Sequence, residues 1–148
     1  MNTTSKPTFR ALNTYTKLMR AAESVTSRVH RVLAEPKLTI SQFGVLEALY
    51  HKGPQCQKVI ASKTLKSTGN ITMVVDNLEK QDLVRRERDY EDRRYVTIHL
   101  TETGTTLITK VFANVKAAIV TDMALLIKNE QESLGSLCKK LGLKGVMN

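Results

Sequence analysis

The sequence predicts a mainly helical chain of the α+β class, in which two long terminal helices flank a helix-turn-helix with a two-stranded hairpin. Three observations carry that expectation. Apolar residues recur at helical spacing from Leu12 to Leu33 and again from Leu107 to Leu126. Between these stripes, residues 55–83 read as a short helix, a tight connection and a second helix. From Val84 to Leu100 the period falls to two on either side of a charged segment, the pattern of a hairpin.

Taken in order, residues 1–7 read as an arm without regular structure, and Thr8 is the expected cap of the first helix. Leu12, Tyr15, Leu18, Met19, Ala22, Val25, Val29, Val32 and Leu33 form its apolar stripe, which ends before Pro36. Lys17, Arg20, Ser24, Arg28 and Arg31 mark its wet face. Such a stripe is too long to be buried within one small domain. Thr39 and Gln42 have the spacing of a capping box, opening a helix that packs through Phe43, Val45, Leu46 and Leu49 and stops at Gly53-Pro54. The supporting helix of the helix-turn-helix packs Val59, Ile60, Ala61 and Leu65 and ends near Lys66.

Ser67 can cap the following helix, whose Ile71, Val74, Val75 and Leu78 carry it to about Gln81. In the hairpin, Val84, Arg86 and Arg88 alternate with Arg85 and Glu87, and Tyr95, Thr97 and His99 with Val96, Ile98 and Leu100. Asp89 to Arg94 is polar apart from Tyr90 and forms an exposed tip. Thr101 caps the next long helix, with Leu107, Ile108, Val111, Phe112, Val115, Ala118, Ile119, Met123 and Leu126 as its apolar surface. Asn129, with Glu132 three residues on, should cap the last, where Leu134, Leu137, Cys138 and Leu141 precede Gly142. The ends of the chain are therefore helical and apolar, and packing them against each other and against a second subunit buries both stripes.

Composition narrows the function. A chain of 148 residues with 41% hydrophobic residues fits one domain, or one domain with a dimerisation element. Its net charge of +9 favours an anionic partner. Lys52, Lys58, Lys63 and Lys66 lie in a stretch without an acid. No apolar run approaches the roughly 20 residues that span a bilayer, and MNTTSKPTFR lacks the apolar centre of a signal peptide, so a cytoplasmic protein without a membrane partner is expected.

Cys56 and Cys138 have no metal-ligand spacing, and neither a metal nor a cofactor is expected. His30, His51 and His99 are isolated, with Cys138 read as packed and His99 as facing solvent. Asp89, Glu91 and Asp92 crowd together on an exposed hairpin where nothing would tune a carboxylate for acid–base work. The sequence has no phosphate-binding glycine loop or nucleophile elbow, and an enzyme is not expected.

What remains is a surface suited to duplex DNA. Thr68, Asn70, Thr72 and Met73 lie on or near the face opposite Ile71, Val74 and Leu78, and the uncluttered helix start at Ser67 can approach phosphates. Lys63 and Lys66 would supply charge. Asp92, Arg93 and Arg94 stand at the hairpin tip, where a guanidinium can enter a narrow minor groove while the helix occupies the major groove. A module that uses the same surface to bind protein is the alternative.

The stretch STGNITMVVDNLEKQDLVRRERDYEDRRYVTIHLTETG, preceded by LTISQFGVLEAL, resembles the MarR (multiple antibiotic resistance regulator) family of winged-helix repressors over Leu38 to Gly104. The resemblance implies that Asp92 and Arg94 are the wing's D-x-R motif, the acid steering the arginine into the minor groove. Many relatives carry a basic residue at the position of Met73, so base reading here would lean on Asn70, the threonines and the wing. It also implies that residues 38–101 bind DNA while 8–35 and 102–148 hold a homodimer, through Leu12, Leu18, Val25, Val111, Val115, Ile119, Leu126, Leu137 and Leu141. The expected operator is near-palindromic, its half-sites about one helical turn, roughly 34 Å, apart. A small, often aromatic, anionic effector is implied between the dimer helices and the winged region, and no residue identifies it. Hydroperoxide-sensing relatives use a cysteine in the first long helix and zinc-sensing ones use histidines after the wing; this chain has neither.

Overall fold

The computed structural model describes residues 5–64, 68–92 and 94–143, and the backbone alone of Thr68 and Gly69. Of the residues singled out in the sequence, Leu65, Lys66, Ser67, Arg93 and the side chain of Thr68 lie outside that description. The elements are α1 (Lys6–Ala34), α2 (Ile40–Lys52), β1 (Gln55–Cys56), α3 (Gln57–Lys63), α4 (Thr68–Lys80), β2 (Val84–Arg88), β3 (Val96–Leu100), α5 (Glu102–Met123) and α6 (Lys128–Leu143).

Helix α1 begins before its expected cap. Ser5, not Thr8, takes that position, its Oγ accepting from the Thr8 amide at 3.5 Å. Pro7 falls in the first turn, where a missing N–H leaves no bond unmade. The chain leaves α1 through Lys37 at φ 56°, with the Leu38 amide bonded back to the Leu33 carbonyl at 3.0 Å. Helix α2 opens on the expected capping box: the Gln42 amide donates to Thr39 Oγ1 at 3.1 Å and the Thr39 amide to Gln42 Oε1 at 2.9 Å. It closes at Gly53, whose φ of 74° suits a residue without a side chain.

The sheet has three antiparallel strands in the order β1-β3-β2, one more than expected. Gln55 pairs with Ile98, and Val84, Arg86 and Arg88 pair with Leu100, Ile98 and Val96. Two residues of β1 are too few to show a strand period. Helix α3 then ends at Lys63, short of Lys66, and it buries Ile60 and Ala61 while Val59 is exposed.

One core joins these elements. Leu46, Ile60, Ile71, Leu78, Ile98 and Ile108 are among its fully buried side chains, so α2, α3, α4, the sheet and α5 share one apolar interior. Val111 and Val115 belong to it too, packed by their own subunit rather than left for a partner.

Thr101 caps α5, its Oγ1 accepting from the Gly104 amide at 2.9 Å and donating to the Asp82 carbonyl at 2.6 Å. A β-carbon on Gly104 would run into the Leu83 carbonyl, so the helix starts in contact with the turn behind α4. Helix α5 ends at Met123, leaving Leu126 in the following turn and not on the helical stripe. At the start of α6 the Ile127 amide donates to Glu130 Oε2 at 3.0 Å, whereas Asn129, the expected cap, lies inside the helix. The helix continues through Gly142 and none of its residues is buried; Cys138 is exposed, not packed.

The second half of α1 packs on α5 through Val29, Val32 and Leu33, and Arg28 Nε meets Asp122 Oδ2 at 2.7 Å. Its first half exposes Phe9, Leu12, Tyr15 and Met19, and α6 exposes Leu134, Leu137, Leu141 and Leu143. Leu18, Val25 and Leu126 are half-buried and Ile119 is exposed.

Candidate nucleic-acid interface

Helix α4 turns Ile71, Val75 and Leu78 inward, which leaves Asn70, Thr72 and Met73 on the outer face of its first turns. Gln57 of α3 donates from Nε2 to Thr72 Oγ1 at 2.7 Å, tying one of the candidate base-contacting side chains to the preceding helix. Lys63 donates to Gln55 Oε1 at 2.7 Å from the end of α3. Sequence reasoning gave no role to Gln57. Its pairing with Thr72 spans two helices, and no local spacing announces it.

The wing tip is built by short-range bonds. Asp89 Oδ1 accepts from the amides of Glu91 and Asp92 at 2.8 and 3.0 Å, while the Asp89 amide donates to the Tyr95 carbonyl at 3.0 Å. Asp92 in turn receives the Arg94 amide on Oδ1 at 3.0 Å, Arg94 Nε on Oδ1 at 2.9 Å and Arg94 Nη2 on Oδ2 at 2.8 Å. The fork of the guanidinium is thus gripped along one edge, and the Arg94 side chain remains 90% exposed. The bond from the Arg94 side chain, and then that from its backbone, holds the Asp92 carboxyl below its ordinary value, and the same pairing raises that of Arg94. Tyr90 projects fully into solvent from this turn.

Further down the hairpin, Glu87 accepts from Arg85 at 2.8 Å and lies 3.2 Å from His99 Nε2. The Arg85 hydrogen bond and then the charge of His99 lower the Glu87 carboxyl. His99 is half-buried at this contact and does not simply face solvent. Arg86, on the other face of β2, reaches Asp76 and Glu79 of α4, each at 2.5 Å. The signal for that contact was in the sequence: Arg86 shares its side of the strand with buried Val84, and an inward arginine needs acids.

The family model for the transcriptional regulators SarA/Rot matches residues 28–111, from the end of α1 to the middle of α5. Two Bacillus subtilis proteins align over almost the whole chain. The helix-turn-helix transcriptional regulator YkoM is 37% identical over 90% of this chain and 87% of its own. MhqR, also a helix-turn-helix transcriptional regulator, is 34% identical over 92% and 94%. The chain is a MarR-type winged-helix transcriptional regulator of the SarA/Rot family. Its fold is also that of AbsC from Streptomyces coelicolor, a MarR family regulator, with a TM-score of 0.78, 23% identity and coverage of 99% and 95%. This MarR-type protein is accordingly a DNA-binding regulator and not an enzyme.

Hollows open at two places among the described residues. One, of about 520 Å³, lies between α1, α2 and α5 and is lined by Val25, Val29, Phe43, Phe112, Lys116 and Ile119. Another, of about 380 Å³, lies between the start of α3 and the wing, with Cys56, Gln57, Lys58 and Arg94 on its walls. Among the described residues no His, Cys, Asp and Glu side chains gather as a metal site, and no helix is long and apolar enough to cross a membrane.

Proposed function

We propose that this MarR-type regulator is a cytoplasmic homodimeric repressor of a near-palindromic duplex site, with α4 in the major groove and the wing in the minor groove. The observation that carries the proposal is the Asp92–Arg94 fork: a mostly exposed arginine is already oriented at the wing tip. Ordering a free arginine on binding costs side-chain entropy, and the fork reduces that loss beforehand. Asn70 and Thr72 then supply base-edge hydrogen bonds, and Lys63 and Lys66 supply phosphate charge. Ser67, Thr68, Met73 and Arg93 complete the surface.

Residues 38–101 form the DNA-binding region in this reading, and 8–35 with 102–148 the dimerisation region. Support for the dimer comes from the uncovered apolar faces of α1 and α6, which include Leu12, Leu137 and Leu141. The hollow between α1, α2 and α5 is the seat for a small aromatic, anionic effector: its walls are mostly apolar, Phe112 offers a ring, and Lys116 offers a cation to set against the Glu47 carboxylate on the same walls.

The test is selection of bound duplexes from a random pool, followed by titration of the enriched duplex across a salt series. A recovered inverted repeat is expected, with log affinity falling by about 0.9 per phosphate contact for each unit of log salt. Recovery of no preferred sequence, or a flat salt response, would overturn the reading.

A further inference from the structure

We propose that Arg86 is a positioning residue that locks the angle between the recognition helix and the wing, so that both grooves are read by one rigid unit. The proposal rests on the DNA reading above and adds to it a residue that need not touch DNA.

Arg86 lies in the middle of β2, opposite Ile98 of β3. Its guanidinium crosses to α4, where Nη2 meets Asp76 Oδ1 and Nη1 meets Glu79 Oε2, both at 2.5 Å. The Arg86 amide also donates to Glu79 Oε1 at 3.4 Å. Asp76 and Glu79 are three residues apart, one above the other on the same helix face. A single bond would allow α4 to swivel about it. Two prongs of a planar fork, gripping successive turns, do not.

Geometry also shows why this matters for reading. The clamp holds the second half of α4, whereas Asn70 and Thr72 stand near its start. Nine residues from Glu79 to Asn70 span about 14 Å of helix, so a tilt of about 10° at the clamp displaces Asn70 by about 2 Å. That displacement breaks a hydrogen bond to a base edge. The same tilt, viewed from α4, moves the wing tip and its Arg94 relative to the major groove.

Charge separates this role from ordinary phosphate binding. Arg86 is paired with two carboxylates and its side chain is only 24% exposed, so the triad carries net negative charge. A phosphate contact would be better served by an unpaired guanidinium. The Asp76→Asn/Glu79→Gln double variant keeps the side-chain shapes, frees Arg86 and adds two units of positive charge. Pure electrostatics then predicts tighter operator binding, and positioning predicts weaker.

The experiment titrates the full chain against the selected operator and a scrambled duplex of equal length by fluorescence anisotropy. Wild type, Arg86→Ala, Arg86→Lys and the double variant are compared, with circular dichroism to establish that each is folded. We expect the operator-to-scrambled affinity ratio to fall at least about tenfold in Arg86→Ala and in the double variant, with Arg86→Lys restoring little. Scrambled-duplex affinity should hold or rise in the double variant. In wild type the losses from Asn70→Ala and Arg94→Ala should be strongly non-additive, and in the double variant they should become additive. An affinity ratio within about twofold of wild type in either clamp variant, or tighter operator binding by the double variant, would overturn the proposal. If Arg86→Ala does not fold, the double variant decides alone. A wild-type protein that fails to prefer the operator would instead overturn the DNA reading beneath it.

Discussion

Replacing Leu137 by Asp probes the assembly at a place where the subunit's own fold is not at stake. Helix α6 has no buried residue, and Leu137 is 61% exposed. Leu134, Leu141 and Leu143 of α6, and Phe9, Leu12, Tyr15 and Met19 of α1, are likewise between 42% and 66% exposed. At about 100 Å² of accessible area apiece, these side chains offer about 800 Å² per subunit, the size of a standard stable interface. Full burial of a leucine stabilises by about 1.5–3 kcal/mol, of which association can supply the larger part, about 1–2 kcal/mol per copy. An aspartate there also places an unpaired carboxylate in a drying interface, at several kcal/mol, and a two-fold interface holds the position twice.

The variant should therefore dissociate at least about 10⁴-fold more readily, since these losses exceed about 6 kcal/mol in all. Light scattering at micromolar concentration reads the mass directly: a dimer for wild type, a monomer for Leu137→Asp, with thermal unfolding of the isolated subunit still cooperative. A variant with the same dimeric mass as wild type, or a monomeric wild type, would refute the reasoning.

Asp92→Ala should weaken operator binding in an anisotropy titration although it removes a negative charge near phosphate, because it frees the Arg94 fork; tighter binding would make Asp92 a mere solvated charge. Since Arg94 holds the Asp92 carboxyl below its ordinary value, the tether is complete above roughly pH 4 and is lost only as pH falls through the depressed value. Wild-type affinity should thus show no Asp92 titration over roughly pH 5 to 8. Gly104→Ala should destabilise by about 1–3 kcal/mol in chemical denaturation, since its β-carbon must displace the Leu83 backbone. Asn70→Ala should change which base is preferred at one operator position, by about 1–3 kcal/mol in competition binding.

Features written in neighbouring residues were legible in the sequence. The capping box of Thr39 and Gln42, the stop at Gly53, the Thr101 cap and the Asp92–Arg94 pair all act over two to four residues. Where two local signals competed, the sequence misled: Thr8 and Asn129 are good caps, but Pro7 suits a first turn and Glu130 reaches back to the Ile127 amide. Contacts set by the packing of distant elements left weaker traces. Gln57 meets Thr72 across fifteen residues, and Arg86 reaches two acids behind a turn. Val111 and Val115 sit on an apolar stripe like Ile119, and only the fold assigns the first two to the interior.

The joint at Gly104 has a mechanical consequence. The Thr101 amide bonds the Leu83 carbonyl at 3.2 Å, its hydroxyl bonds Asp82, and Gly104 brings the α5 backbone hard against the same turn. No slack segment separates the wing and α4 from α5, so the 22-residue helix is a lever about 33 Å long welded to the winged helix-turn-helix. Swinging it by about 5° carries one end about 3 Å relative to the other. In the homodimer proposed above, a shift of this lever would alter the separation of the two α4 helices and mismatch them with the pitch of the double helix.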